Sequence, residues 1–302
     1  MENDGAMCPN CDKKNTVKRG FINTAVGGKK QRFYCKDCKK KFVPRTAFYR
    51  MRNNAQKITC ALDLFYKGLS TREVQDHFKA FFPHNSDHST ILRWIRKYSM
   101  KIADYTDNLE VQTGSYIEVD EMQYRRRASH KKKGTDENWF IDSIDVKTRF
   151  MLGSAYAKER SKQEIGKVLL GVKRKSGDQI KTVVTDGLMA YENVVKHTFG
   201  YNNRLQRYNV IHRMVNASKG EGFNIWVERM HNTIRQRTRK FRGLHGSVES
   251  AYAIMKGMEI YYNFIRKHEA LKYKTPSELA IPSLEFKTAN RWLELIERSY
   301  LK

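Results

Sequence analysis

Three strand-like runs in succession, followed by a helix, strand, helix, strand alternation, predict a mixed α/β fold for most of this 302-residue chain. Two further observations predict what precedes it. A pair of Cys-x-x-Cys knuckles brackets a hairpin pattern, and a set of capped helical repeats follows. The expected architecture is a mixed sheet flanked by helices, behind a small cysteine ribbon and a helical unit. The boundaries fall at 1–45 for the ribbon, 52–108 for the helical unit, 112–285 for the α/β domain and 286–302 for a C-terminal helical tail. A hydrophobic content of 40% supports a core of that size.

In the ribbon, Cys8-Pro9-Asn10-Cys11 and Cys35-Lys36-Asp37-Cys38 each present two thiols on a tight loop. The segment between them reads as Phe21 to Val26, a Gly27-Gly28 turn and Lys29 to Tyr34. Four thiolates complete a closed tetrahedron, so Cys8, Cys11, Cys35 and Cys38 are expected to hold one structural Zn²⁺. A redox pair or free thiols would be the alternatives. Lys39, Lys40, Lys41, Arg45 and Arg50 trail the second knuckle. They suit contact with a DNA backbone, and equally a solvated basic face or a protein contact. Cys60 falls in the apolar pattern of Ile58, Ala61, Leu62 and Phe65, and is expected to be a small buried side chain.

In the helical unit, Ile58, Leu62 and Phe65 recur at helical spacing and stop at Gly68. Ser70-Thr71-Arg72-Glu73 spells a capping box that opens a second helix through Val74 and Phe78. Ser89 is the expected N-cap of a third, carrying Ile91, Leu92, Trp94, Ile95 and Tyr98. Three helices with a basic last one resemble a helix-turn-helix unit, in which Thr90, Arg93, Arg96 and Lys97 would face a DNA major groove. A plain three-helix packing unit fits the same pattern, with Trp94 in its core.

In the α/β domain, Tyr116 to Tyr124, Asn138 to Val146 and Phe150 to Ala157 read as a meander. Ser161 to Lys175 then reads as a helix, Ile180 to Asp186 as a strand, Tyr191 to Phe199 as a helix and Tyr208 to His212 as a strand. A right-handed crossover would lay the fourth strand parallel to the first, placing Asp120 beside Asp186. Glu228 opens a helical face that continues through Asn232, Arg235, Arg239 and Arg242, a carboxylate followed by amide and guanidinium groups. Such a face suits a metal at one end and phosphates beyond it. Two acids at strand ends and one on a helix are a donor set for two Mg²⁺ or Mn²⁺ ions.

Other ionisable groups compete for these roles. Glu118 shares the strand face of Asp120, whereas Glu121 points the other way and is expected to pair with a basic neighbour. Asp142 and Asp145 read as edge charges, and His212 as a satisfied histidine or a DNA contact. Arg125, Arg126, Arg127, Lys131, Lys132 and Lys133 flank the loop after Asp120, as DNA clamps or as a solvated loop.

Several segments resemble the DDE insertion-sequence transposases of bacteria and archaea. Tyr116-Ile117-Glu118-Val119-Asp120-Glu121 is similar to the family's first-aspartate strand, and Val184-Thr185-Asp186-Gly187-Leu188-Met189-Ala190-Tyr191 to its second-aspartate segment. Val227-Glu228-Arg229-Met230-His231-Asn232 is similar to its glutamate helix, and Tyr262 to Leu271 with Thr275-Pro276 to its C-terminal signature. Lys267 stands where a proline is common, and the interval from Asp186 to Glu228 is wide for the family. The resemblance implies an RNase H-like catalytic domain with Asp120, Asp186 and Glu228 as catalytic metal ligands. It also implies metal-dependent cleavage at element ends, transfer of the 3′ hydroxyl into target DNA, and at least a homodimer on DNA.

Charge points to the same class of partner. A net charge of +26 recruits polyanions through counterion release, which favours double-stranded DNA. The sequence offers no long apolar stretch and no lipidation signature, so no membrane association is expected, and the expected setting is the cytoplasm, at the nucleoid. A DNA-binding regulator built on the ribbon and helical unit would leave the acids unexplained. An RNase H-like nuclease without strand transfer would share them.

Overall fold

The computed structural model describes residues 6–24, 28–82, 86–124, 126–127, 135–215, 224–241, 244–245 and 247–301. The N-terminal ribbon consists of β1 (Thr16–Thr24), β2 (Gly28–Cys35) and β3 (Lys41–Phe42), an antiparallel sheet in that order. Its hairpin is longer than the sequence pattern indicated, because pairing runs from Thr24↔Gly28 down to Thr16↔Cys35 and draws the second knuckle against the first.

Three helices follow: α1 (Ala55–Tyr66), α2 (Thr71–Phe81) and α3 (His88–Thr106). Helix α1 stops where expected, and Gly68 supplies the left-handed turn at φ +111°. The capping box of α2 is present in full. The Ser70 hydroxyl accepts from the Glu73 amide at 3.3 Å, and the Glu73 carboxylate accepts from the Ser70 amide at 2.7 Å. At α3 the expected N-cap is corrected by two residues. Asp87 caps it, accepting from the Ser89 amide at 2.8 Å, because a carboxylate is the stronger acceptor at the positive end of a helix.

The main sheet has five strands in the order β12, β9, β4, β7, β8. These are β4 (Tyr116–Gln123), β7 (Trp139–Asp145), β8 (Met151–Ala157), β9 (Thr182–Thr185) and β12 (Ile211–Met214). The meander β4, β7, β8 is antiparallel, whereas β9 lies parallel to β4 and β12 parallel to β9. Between β4 and β7 come the short β5 (Arg126–Arg127) and β6 (Thr135–Asp136). Helix α4 (Lys162–Ser176), capped by Ser161, and α5 (Met189–Phe199) connect the parallel strands. The last strand begins later than the pattern indicated. Tyr208 is spent in a small hairpin of β10 (Tyr201–Asn202) and β11 (Arg207–Tyr208).

The sheet is covered on both faces. Gly153 of β8 lies against the backbone of Val168 in α4. On the opposite face lie α6 (Ile225–Thr238) and, after β13 (Leu244–His245), α7 (Val248–Ile260). Ser154 of β8 donates to Glu259 of α7, and Asn263 beyond α7 bonds both backbone groups of Met151. Helix α7 and the turn after it therefore pack on the sheet.

The helical unit is continuous with this domain. Helix α3 lies along α7 so closely that a Cβ on Gly257 would collide with the Ser99 hydroxyl of α3, and with the Tyr66 hydroxyl of α1. After the short α8 (Pro276–Ala280), α9 (Arg291–Arg298) returns to α1 and α3, and Trp292 stacks on Tyr66 at 5.3 Å. Trp94 is buried, as expected of a core residue.

Candidate metal centres and basic surfaces

The four cysteines of the ribbon converge. Cys8 and Cys38 Sγ are 3.5 Å apart and Cys11 and Cys35 Sγ 3.6 Å, and all four sulfurs lie within 4.8 Å of one another. Tetrahedral thiolate ligation of zinc calls for about 3.8 Å between sulfurs, so the donor set fits that ion. The two knuckles are built alike. The residue after each second cysteine, Asp12 and Lys39, is left-handed at φ 54° and 59°. The next amide, of Lys13 or Lys40, then turns back toward the thiol of Cys11 or Cys38. The Lys40 amide pulls the Cys38 thiol down to about 6.

The second cluster forms where β4 outruns β9. Parallel pairing Tyr116↔Thr182, Ile117↔Val183 and Glu118↔Val184 carries Asp186, the residue after β9, to the level of Asp120. Ligand oxygens of Asp120, Glu121 and Asp186 come within 4.8 Å of one another. Asp120 and Asp186 meet as the sequence indicated. Glu228 is not in this group: it stands on the exposed flank of α6.

Glu121 is the unexpected member. Its Oε1 pairs with Arg160 at 2.8 Å, the basic neighbour the sequence led one to expect. Its Oε2 accepts from the Tyr191 hydroxyl at 2.6 Å. Strand alternation does send it to the α5 face, where it meets Tyr191, yet at the end of the strand its carboxylate still comes within 4.8 Å of ligand oxygens of Asp120 and Asp186.

On the other face, Glu118 and Asp120 point toward α6. Glu118 is buried and its Oε2 accepts from the amides of Trp226 (2.8 Å) and Val227 (3.0 Å), anchoring the first turn of the helix. One turn on, His231 is buried against Asp142, with Nε2 at 3.0 and 3.1 Å from its two oxygens. Its Nδ1 stands 3.8 Å from Asp120 Oδ2. Asp142 lies directly across from Asp120 in the β4/β7 register.

Asp142 and Asp145, read from sequence as edge charges, are instead fully buried, because β8 covers β7 on its far side. Asp145 accepts from Gly114, Thr148 and the Thr148 hydroxyl, a turn-building role. His212 bonds Thr185 at 2.9 Å, the satisfied histidine expected.

Burial sets the electrostatics of this centre. It pushes the Asp120 carboxyl up to about 7, and the neighbouring carboxylates of Asp142 and Glu121 act in the same direction. Asp142 is likewise raised by burial. Burial alone would lower His231, but the Asp142 carboxylate outweighs it and holds the imidazole above its ordinary value. Concentrated like charge of this kind, inside a strongly basic protein, suits a divalent cation.

The residues expected to touch DNA divide by placement. Asn232, Arg235 and Arg239 lie exposed along α6 and, with Tyr124, Gln236 and Thr238, line an open cleft of about 470 Å³. Arg93 and Lys97 are exposed along α3, whereas Arg96 is half-buried with its Nε unpaired. Arg126 and Arg127 form β5, paired with Leu244 and His245, and their side chains lie outside the description. Arg125, Lys131, Lys132, Lys133 and Arg242 lie outside the described residues.

Sequence reasoning missed the Asp142 and His231 pair. Its signal was an acid inside the apolar run Trp139-Phe140-Ile141-Asp142, and a histidine one helical turn after Glu228. No protein-family model matches the chain, and no curated protein matches it. Among the described residues, no helix is long and apolar enough to cross a membrane.

Proposed function

We propose that this protein is a DNA transposase of the DDE type, which cleaves the ends of a mobile element and joins the freed 3′ hydroxyl to target DNA. The observation that carries the reading is the parallel β4/β9 pairing that sets Asp120 against Asp186 at the open end of the sheet. The strand order, an antiparallel meander extended by two parallel strands on the side of its first strand, supports an RNase H-like reading of the domain. The cleft lined by Asn232, Arg235 and Arg239 follows His231 along the same helical stretch and would supply a track for phosphates.

Asp120 and Asp186 would hold the Mg²⁺ or Mn²⁺ ions, whose chemistry there is stabilisation of charge on the attacked phosphodiester and activation of the attacking hydroxyl. Other parts of the chain position the site. Glu118 fixes the start of α6 relative to β4, Tyr191 and Arg160 orient Glu121, and Asn232, Arg235 and Arg239 bind backbone phosphates. The ribbon, with its zinc, and the exposed Arg93 and Lys97 of α3 add contacts on double-stranded DNA. Two ends must be joined in one event, which calls for at least a dimer on DNA.

The test uses DNA carrying the sequences that flank the reading frame, incubated with protein and Mg²⁺. Joined products are expected from the wild type. Asp120→Asn and Asp186→Asn should each lower cleavage by about 10³-fold or more while leaving DNA affinity within a few-fold. Cuts without joining would make the protein a nuclease of this fold. Binding with no metal-dependent cutting would leave a DNA-binding regulator.

A further inference from the structure

Helix α6 meets the acidic centre through a side chain other than Glu228. Glu228 lies on the exposed flank of the helix, outside the group formed by Asp120, Glu121 and Asp186. Glu121 has both oxygens committed, one to Arg160 and one to Tyr191. The α6 side chain that reaches Asp120 is His231.

Its geometry is that of a histidine held for coordination. With its proton on Nε2, the imidazole donates to both oxygens of Asp142, at 3.0 and 3.1 Å. That fixes the ring and leaves the Nδ1 lone pair facing Asp120 Oδ2 at 3.8 Å, too far for a hydrogen bond. Only 4% of the side chain is exposed, so the ring has little room to turn elsewhere. A carboxylate behind the ring and a free nitrogen in front is the arrangement by which proteins orient a metal-binding histidine. Composition points the same way: Asp120, Asp142, Asp186 and Glu121 bring four carboxyl groups against two basic side chains, His231 and Arg160, in these contacts.

We propose that His231 Nδ1 is a metal ligand, which together with Asp120 holds a divalent cation on the α6 side of the sheet, with Asp142 as the positioning residue behind it. This rests on reading the acidic cluster as a metal centre. Mixed imidazole and carboxylate donors favour Mn²⁺ over Mg²⁺.

The probe is Mn²⁺ alone, bound to zinc-loaded full-length protein labelled with ¹⁵N-histidine, and observed by pulsed electron paramagnetic resonance. The wild type should show ¹⁵N coupling to the bound ion. That coupling should vanish in His231→Gln and in Asp120→Asn, with Mn²⁺ affinity at least about tenfold weaker in each. Asp142→Asn should weaken Mn²⁺ by about tenfold. If His231→Gln does not fold, the wild-type and Asp120→Asn spectra decide. Mn²⁺ that fails to bind, that binds without nitrogen coupling, or whose coupling survives Asp120→Asn overturns the proposal. Coupling that behaves as expected in a protein that never cuts DNA upholds His231 as a ligand and overturns only the transposase reading.

Discussion

A buried histidine far from the acidic cluster shows how one residue sets a pH dependence. His268 donates from Nε2 to the Tyr262 carbonyl at 3.2 Å and accepts at Nδ1 from Arg266 at 2.9 Å, so both nitrogens are committed in the neutral form. Burial, reinforced by the Arg266 charge, pulls its pKa from 6.5 to about 4. The unfolded chain takes up a proton near pH 6.5, whereas the folded chain resists until about 4. Stability from this site is therefore complete above 6.5 and drains away as pH falls toward 4, by at most about 3 kcal/mol. Urea unfolding of the wild type at pH 7.5 and pH 5 should show this loss, and His268→Gln should flatten it. An unchanged pH slope in the variant would remove His268 from the account. The sequence marked His268 only as part of the Tyr262 to Leu271 signature and not as a titrating group, because its environment comes from residues beyond α7 folding back on themselves.

At the scale of elements, the centre depends on how α6 is docked. Glu118 receives the Trp226 and Val227 amides, groups that a helix start otherwise leaves without intrahelical partners. Glu118→Ala should cost about 2 kcal/mol or more and speed amide exchange in the first turn of α6 before that of β4. Equal acceleration in both would mean that the two elements open as one. Local signals made most elements legible beforehand. The Ser70 to Glu73 box, the helix after Ser161, the meander and the Asp120/Asp186 meeting follow from spacing and from the right-handed crossover. What stayed hidden depends on covering layers. An acid in a strand reads as an edge charge until a neighbour covers it, as β8 covers Asp142. The choice between Glu228 and His231 as the residue facing Asp120 turns on the rotation of α6 about its axis, and that is set by Glu118, 108 and 109 positions earlier in the chain than the two amides it receives.

For the whole molecule, the governing quantity is charge: 58 basic side chains against 32 acidic ones. Those acids that are buried are spent internally, as in the ion-pair cluster of Asp107, Lys175, Lys256 and Glu259 beside the edge strand β8. The uncompensated positive charge is left to the surface, along the ribbon, on α3 at Arg93 and Lys97, and at Arg235 of α6 and Arg239 just beyond it. These stripes belong to different elements, so one duplex touching all of them would displace counterions from many phosphates. For six or more such contacts, affinity should fall by about 10³-fold or more between 50 and 200 mM salt. Stripping zinc from the ribbon should lower the steepness of that dependence, because the ribbon's hairpin carries few buried apolar side chains and relies on its four thiolates. The α/β domain has its own core and should keep its far-ultraviolet circular dichroism under the same treatment. Titrating duplex DNA at several salt concentrations, before and after chelation, measures both effects. A shallow dependence in the zinc-loaded protein would mean that the stripes do not act on DNA together, and an unchanged dependence after chelation would take the ribbon out of the interface.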